Sequence, residues 1–187
     1  MAKFWIPKKL DENGNLSTWQ GELTSVFDNI KNIGDYCFSY TFSNNTGITN
    51  NVTFKNLIST GQYSFNYAFD GCTNITNISF PNLTSIGRYG FYYAFRSCSK
   101  LTNINFPKLT TIDVCGLSTT FYLCSALTIV NFPALTSIGA SGLDYAFSGC
   151  NNLTEIHFKT SAQSIVTASA GYSINFGASN ATIYFDL

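Results

Sequence analysis

The sequence predicts a right-handed α/β solenoid of about five to six coils, with short parallel strands on one face and short helices on the other. Two sets of equal intervals carry that expectation. Phe54, Phe80, Phe106, Phe132 and Phe158 stand twenty-six residues apart, and Cys72, Cys98, Cys124 and Cys150 keep the same interval. Within each interval an apolar alternation of strand period is followed by an apolar pattern of helical period. A unit this short cannot bury its own apolar edge, so copies of it must stack and share one core.

The unit from Leu101 to Leu127 serves as reference. It opens Leu101-Thr102-Asn103-Ile104-Asn105-Phe106, where the last three apolar and polar positions alternate in, out, in as a strand requires. The same spacing recurs at Ile75/Ile78/Phe80, Leu127/Val130/Phe132 and Leu153/Ile156/Phe158. Ile48/Val52/Phe54 carries one extra residue, which predicts a bulge. These strands are expected to pair in parallel into a sheet that runs the length of the solenoid.

Pro81, Pro107 or Pro133 follows the strand, with Lys55 and Lys159 in the outer copies. Proline there removes a donor and ends the ladder. A second apolar pair comes next, at Ile30/Ile33, Leu83/Ile86, Leu109/Ile112 and Leu135/Ile138. Gly34, Gly61, Gly87 and Gly139 then mark a tight turn, and Asp113 takes that place in the remaining copy, as a residue that tolerates left-handed backbone.

The last part of each unit changes period. Phe91, Ala94, Phe95 and Cys98 fall at i, i+3, i+4 and i+7, which predicts two helical turns with one buried face. Phe65/Ala68/Phe69/Cys72, Leu117/Thr120/Phe121/Cys124 and Leu143/Ala146/Phe147/Cys150 repeat it. Stacked cysteines project in parallel, which is poor disulfide geometry, so a ladder of buried reduced thiols is expected.

The strand motif together with Ala94-Phe95-Arg96-Ser97-Cys98-Ser99-Lys100-Leu101 resembles the BspA-like leucine-rich repeat family, and Phe147-Ser148-Gly149-Cys150-Asn151-Asn152-Leu153 has the same form. The resemblance covers roughly residues 27 to 158. It implies a leucine-rich-repeat solenoid that serves as a binding module, bacterial or phage-encoded, with adhesion a common role and no catalysis. The units here are a few residues longer than that family's usual repeat. Its members are commonly surface-attached, whereas no export signal or anchor stands in this sequence.

Both ends leave the pattern. Residues 1–26 read as an N-terminal cap, 27–158 as repeats of about 26 residues and 159–187 as a degenerate final repeat or cap, with Ala181 to Phe185 as its strand. The first nine residues break off after three apolar positions, too few for a signal peptide, so a cytoplasmic or virion-associated protein is expected over a classically secreted one. No run reaches the twenty or so apolar residues of a membrane-spanning helix.

Charged residues make up only 11% of the chain and cancel, ten basic against ten acidic. The basic residues are scattered, which argues against nucleic acid, whose phosphates need a concentrated cationic footprint. There is one histidine, so no histidine cluster for zinc exists, and no phosphate loop or nucleophile elbow is found. No catalytic, cofactor-binding or metal-binding residue is expected. Glu155 and His157 share one side of a strand, as a solvated face or as an acid and base pair short of further ligands.

Two columns remain as candidate partner-binding residues. The outward strand positions Asn103, Asn105, Ile129, Asn131, Glu155 and His157 offer neutral donors and acceptors, for a protein partner or for carbohydrate, unless they serve only to keep a sheet face wet. The tyrosines Tyr67, Tyr93 and Tyr145, aligned with Tyr40 and interrupted by Thr119, offer rings of the kind common in interfaces, unless they pack on one another between coils.

Overall fold

The structure, a computed structural model, describes residues 27–169 and 176–187, so the expected N-terminal cap at 1–26 lies outside the described residues. The strands in chain order are β1 (Asn32–Ile33), β2 (Asn50–Thr53), β3 (Ser59–Thr60), β4 (Ile75–Ser79), β5 (Ser85–Ile86), β6 (Asn103–Asn105), β7 (Thr111–Ile112), β8 (Ile129–Phe132), β9 (Ser137–Ile138), β10 (Glu155–Phe158) and β11 (Thr182–Phe185). A 3-10 turn at Thr160–Ala162 leads into the helix α1 (Gln163–Ser169). Every strand pairing is parallel, as stacking of like units requires.

The alternation read from the sequence governs the first strand of each coil. Val52, Ile78 and Ile104 align across β2, β4 and β6, and Val130, Ile156 and Ile183 across β8, β10 and β11. The extra residue before Phe54 is a register shift between Asn50 and Asn51, with Asn50 at φ 64°. The expected continuous sheet is instead two sheets of three strands, because β6 and β8 lie side by side without pairing. The widest step of the phenylalanine stack falls there, 6.2 Å from Phe106 to Phe132, against 5.3 Å and 5.2 Å for the steps on either side.

The second apolar pair of each unit forms a ladder of its own. β1, β3, β5, β7 and β9 make an unbroken five-stranded parallel sheet of two-residue strands. The glycines that follow it are not left-handed. A Cβ at Gly87 would lie 2.6 Å from the Thr60 carbonyl oxygen and one at Gly139 would lie 2.5 Å from the Val114 nitrogen, so close approach between coils, rather than turn geometry, demands glycine.

The helical face is replaced by linked turns. Among the described residues α1 is the one α-helix, and it lies outside the stretch read as repeats. In the second coil the N–H groups of Tyr63, Phe65, Tyr67, Phe69 and Gly71 donate to carbonyls of the next coil, those of Arg88, Gly90, Tyr92, Ala94 and Arg96. The amides between them, of Asn66, Ala68, Asp70 and Cys72, donate three residues back. An α-helix would send every amide four residues back within its own coil. Left-handed backbone at every fourth residue, as at Tyr63, Tyr67 and Gly71, breaks that path. Turns of four residues bury the same positions as a helix, which is why Phe91, Ala94, Phe95 and Cys98 are all inside as expected.

Thirteen phenylalanines among the described residues are fully buried, and most stack in columns: Phe54, Phe80 and Phe106 at 5.1 and 5.3 Å, Phe69, Phe95 and Phe121 at 5.4 and 5.8 Å. Burial of each side chain contributes about 1.5–3 kcal/mol, the main force holding coil to coil. All six cysteines are free. The thiols of Cys72, Cys98, Cys124 and Cys150 donate to the carbonyls of Phe42, Phe69, Phe95 and Phe121 in the preceding coil, at 3.0 to 3.3 Å. At the far end α1 packs against β9, with Ala162 and Val166 joining the core.

Candidate functional site

Pairing in register sets the outward strand face. Ile129 lies beside Glu155 and Glu155 beside Thr182, while Asn131 lies beside His157 and His157 beside Tyr184. These two rows run across β8, β10 and β11, and β6 places Asn103 and Asn105 next to β8 without pairing to it, so the six strand residues picked from the sequence lie on neighbouring strands. Ile129 is 43% exposed and Tyr184 39% exposed, which leaves two apolar bodies among polar neighbours.

His157 organises the last rung. Its Nδ1 lies 2.8 Å from an Asp186 carboxylate oxygen and its Nε2 lies 2.9 Å from one of Glu155. Its ring stacks on Tyr184 at 4.8 Å. The hydrogen bond to Asp186, then that to Glu155, raises the imidazole pKa above its ordinary 6.5, against the opposing effect of partial burial. Glu155 and His157, read from the sequence as a solvated face or as an acid and base pair, belong to a group of three with a stacked phenol. Aligning Phe185 with Phe158 in the sequence brings Tyr184 to His157 and would have placed Asp186 just beyond; the interval of twenty-seven there hid it. The two carboxylates grip opposite ring nitrogens and do not converge on a common point, and no metal-holding group of three such side chains exists among the described residues.

The tyrosines lie on the arc of linked turns. Tyr40, Tyr67 and Tyr93 stack at 4.9 and 4.8 Å, and Tyr36, Tyr63 and Tyr89 form a parallel stack at 5.2 and 4.7 Å. Packing ring on ring between coils is thus what Tyr67 and Tyr93 do. Tyr145 has Thr119 as its column neighbour, is 45% exposed and stacks on no ring among the described residues. The structure therefore brings Tyr67 and Tyr93 together and leaves Tyr145 apart.

Arg96 braces the stack. Its guanidinium lies over both Tyr67 and Tyr93 at 5.7 and 5.6 Å and makes two hydrogen bonds to the Asp70 carboxylate at 2.8 and 3.1 Å. Burial, then the neighbouring phenol of Tyr93, raises the pKa of Tyr67, while burial followed by the same neighbour takes Tyr92 to about 12. Between the two faces a trough of about 300 Å³ runs over the second sheet, lined by Thr60, Ser85, Gly87, Thr111, Asp113 and Gly139.

The comparison with known families bears on what such faces are for. The model of the BspA type leucine rich repeat region matches residues 40–167 in six copies. The chain belongs to that family. Among curated proteins and among solved structures nothing matches it. As a BspA-type leucine-rich repeat protein it is a repeat scaffold of a kind that commonly binds proteins, and the parallel solenoid of about six turns fits that membership. Among the described residues of this BspA-type repeat no helix is long and apolar enough to cross a membrane.

Proposed function

We propose that the chain is a non-catalytic scaffold that binds a protein partner through the outward strand face centred on Ile129, Asn131, Glu155 and His157. The observation that carries the reading is the two-row patch itself. It sets the exposed Ile129 and Tyr184 among amide, carboxylate and imidazole groups, as interfaces set apolar or aromatic anchors inside a polar surround. Asn103 and Asn105 extend it by one coil. On this reading the chain is bacterial or phage-encoded, and its partner is the target of adhesion or of a related recognition event.

Carbohydrate is the second reading, for an adhesin or a virion attachment module, and Tyr145 is the observation that favours it, because a half-exposed ring that stacks on no other among the described residues suits a sugar. Tyr67 and Tyr93 give it less support, since their faces are occupied by each other. Two measurements separate the readings. Affinity capture of proteins from the host should be lost with Ile129→Glu and kept with Tyr145→Ala. Saturable binding on a glycan array that vanishes with Tyr145→Ala, while Ile129→Glu leaves it intact, would replace the protein reading with the sugar one.

A further inference from the structure

Both nitrogens of the His157 ring face carboxylate oxygens, Asp186 at 2.8 Å and Glu155 at 2.9 Å. A neutral imidazole has one N–H and one lone pair, so one of those two contacts would set a lone pair against an anion. Only the imidazolium donates to both. The ring also stacks on Tyr184 at 4.8 Å and 14°, an arrangement that favours a cation over the phenol face. The carboxylates belong to different places in the fold. Glu155 is on β10 with His157, whereas Asp186 directly follows β11, the edge strand, and its own amide bonds to the Phe158 carbonyl at 3.1 Å. His157 is thus a charged rivet between the last strand and the one before it.

We propose that the protonated His157 latches β11 to the solenoid, and that loss of this proton releases the end of β11 and shortens the outward strand face by one rung. Every group around the ring bears on the sign. From β10 comes Glu155 and, just past its end, Lys159; from β8 comes Asn131, which is neutral; from β11 comes Tyr184 and, just past its end, Asp186. Lys159 forms no ion pair among the described residues, so no second cation substitutes for the imidazolium. With His157 charged, the cluster of three carries one net negative charge; with it neutral, two carboxylates repel across a single N–H. Asp186 is the more exposed partner, 52% against 41% for Glu155, and gives way first.

The folded pKa lies above the unfolded value, so the stabilisation is complete below about pH 6.5 and is lost as pH rises through the folded pKa. The latch stands whether or not the strand face binds a partner. Because His157 is the sole histidine of the chain, its Cε1–H resonance reports the proton without overlap. The test reads that resonance together with amide exchange, corrected for the intrinsic pH dependence, at Asp186 and at Phe95, whose amide bonds to Thr120 in mid-solenoid.

Protection at Asp186 should fall about tenfold for each pKa unit by which folding raises His157, while Phe95 stays protected. In His157→Gln, protection at Asp186 should sit at the released level at every pH, and Asp186→Asn should lower the midpoint of the imidazole titration. Three results overturn the latch: Asp186 protection that does not change while the imidazole titrates, the same pH dependence surviving in His157→Gln, or Phe95 losing protection in step with Asp186.

Discussion

Tyr63 and Tyr89 stack 4.7 Å apart with 1° between their ring planes, although both hold left-handed backbone, at φ 49° and 51°. That backbone costs a residue with a Cβ about 1–2 kcal/mol, and glycine or asparagine would bear it more cheaply. Seven tyrosines among the described residues nevertheless occupy such positions, at 36, 40, 63, 67, 89, 93 and 145. Six of the seven belong to the two ring stacks, where each contact returns about 0.5–1.5 kcal/mol. The strain and the stacking are two sides of one arrangement.

Tyr63 and Tyr145 therefore respond in opposite ways to the same change. Tyr63→Gly relieves the backbone to the same degree but removes two stacking contacts, with Tyr36 and Tyr89, and should leave the protein about 1–3 kcal/mol less stable than Tyr145→Gly does. Tyr145→Gly relieves the backbone at φ 50° and loses no stacked ring among the described residues, so it should stay within about 0.5 kcal/mol of the parent. Urea melts of the two variants decide it. Equal losses would show that the rings do not offset the strain.

Phe95 and Phe121 test the core beneath. Both are fully buried and stacked on each other at 5.8 Å, so Phe95→Ala or Phe121→Ala should destabilise by about 3–5 kcal/mol. An unchanged melting temperature in either would mean that the column does not hold the coils together.

Phe95 also shows what was readable before the structure and what was not. Burial was legible, because a period of twenty-six fixes which residues lie in register whatever backbone carries them. The backbone was not. Four-residue turns and helical turns bury nearly the same positions, and the difference lies in hydrogen bonds to the next coil, which a single unit does not reveal. Tyrosine is also a poor signal for left-handed backbone, where asparagine or glycine would have given warning. The outward strand residues followed from alternation alone, from Asn103 to His157. Asp186 did not, because its partner lies across a coil of a different length.

Gly87 and Gly34 stand in one column of the sequence but not in one environment. A Cβ at Gly87 meets backbone atoms of the preceding coil at 2.6 and 2.8 Å, whereas among the described residues one at Gly34 meets only the Cys37 sulfur, at 3.6 Å. Gly87→Ala must push two coils apart and should cost about 1–3 kcal/mol. Gly34→Ala should change stability by about 0.5 kcal/mol or less. Calorimetry on the pair is sufficient, and similar melting temperatures would contradict the close-approach account of the column.

The buried thiols set the alkaline limit of the fold. Burial pushes Cys72 and Cys150 up to about 12 and holds Cys98 and Cys124 well above the usual thiol range. Once unfolded, all four ionise near 9, so between about pH 9 and pH 12 the unfolded chain has given up protons that the folded chain still holds. The stabilisation is complete below that window and is lost as pH rises across it. Urea midpoints should decline steadily above pH 9, and the decline should lessen when Cys98 and Cys124 are replaced together by alanine. The same thiols, protonated and enclosed, should resist a thiol reagent at pH 8 until urea unfolds the chain, whereas exposed Cys37 reacts at once. Rapid native labelling of three or more cysteines would show that the thiol column is open to water, since only Cys37 and Cys115 lie outside it.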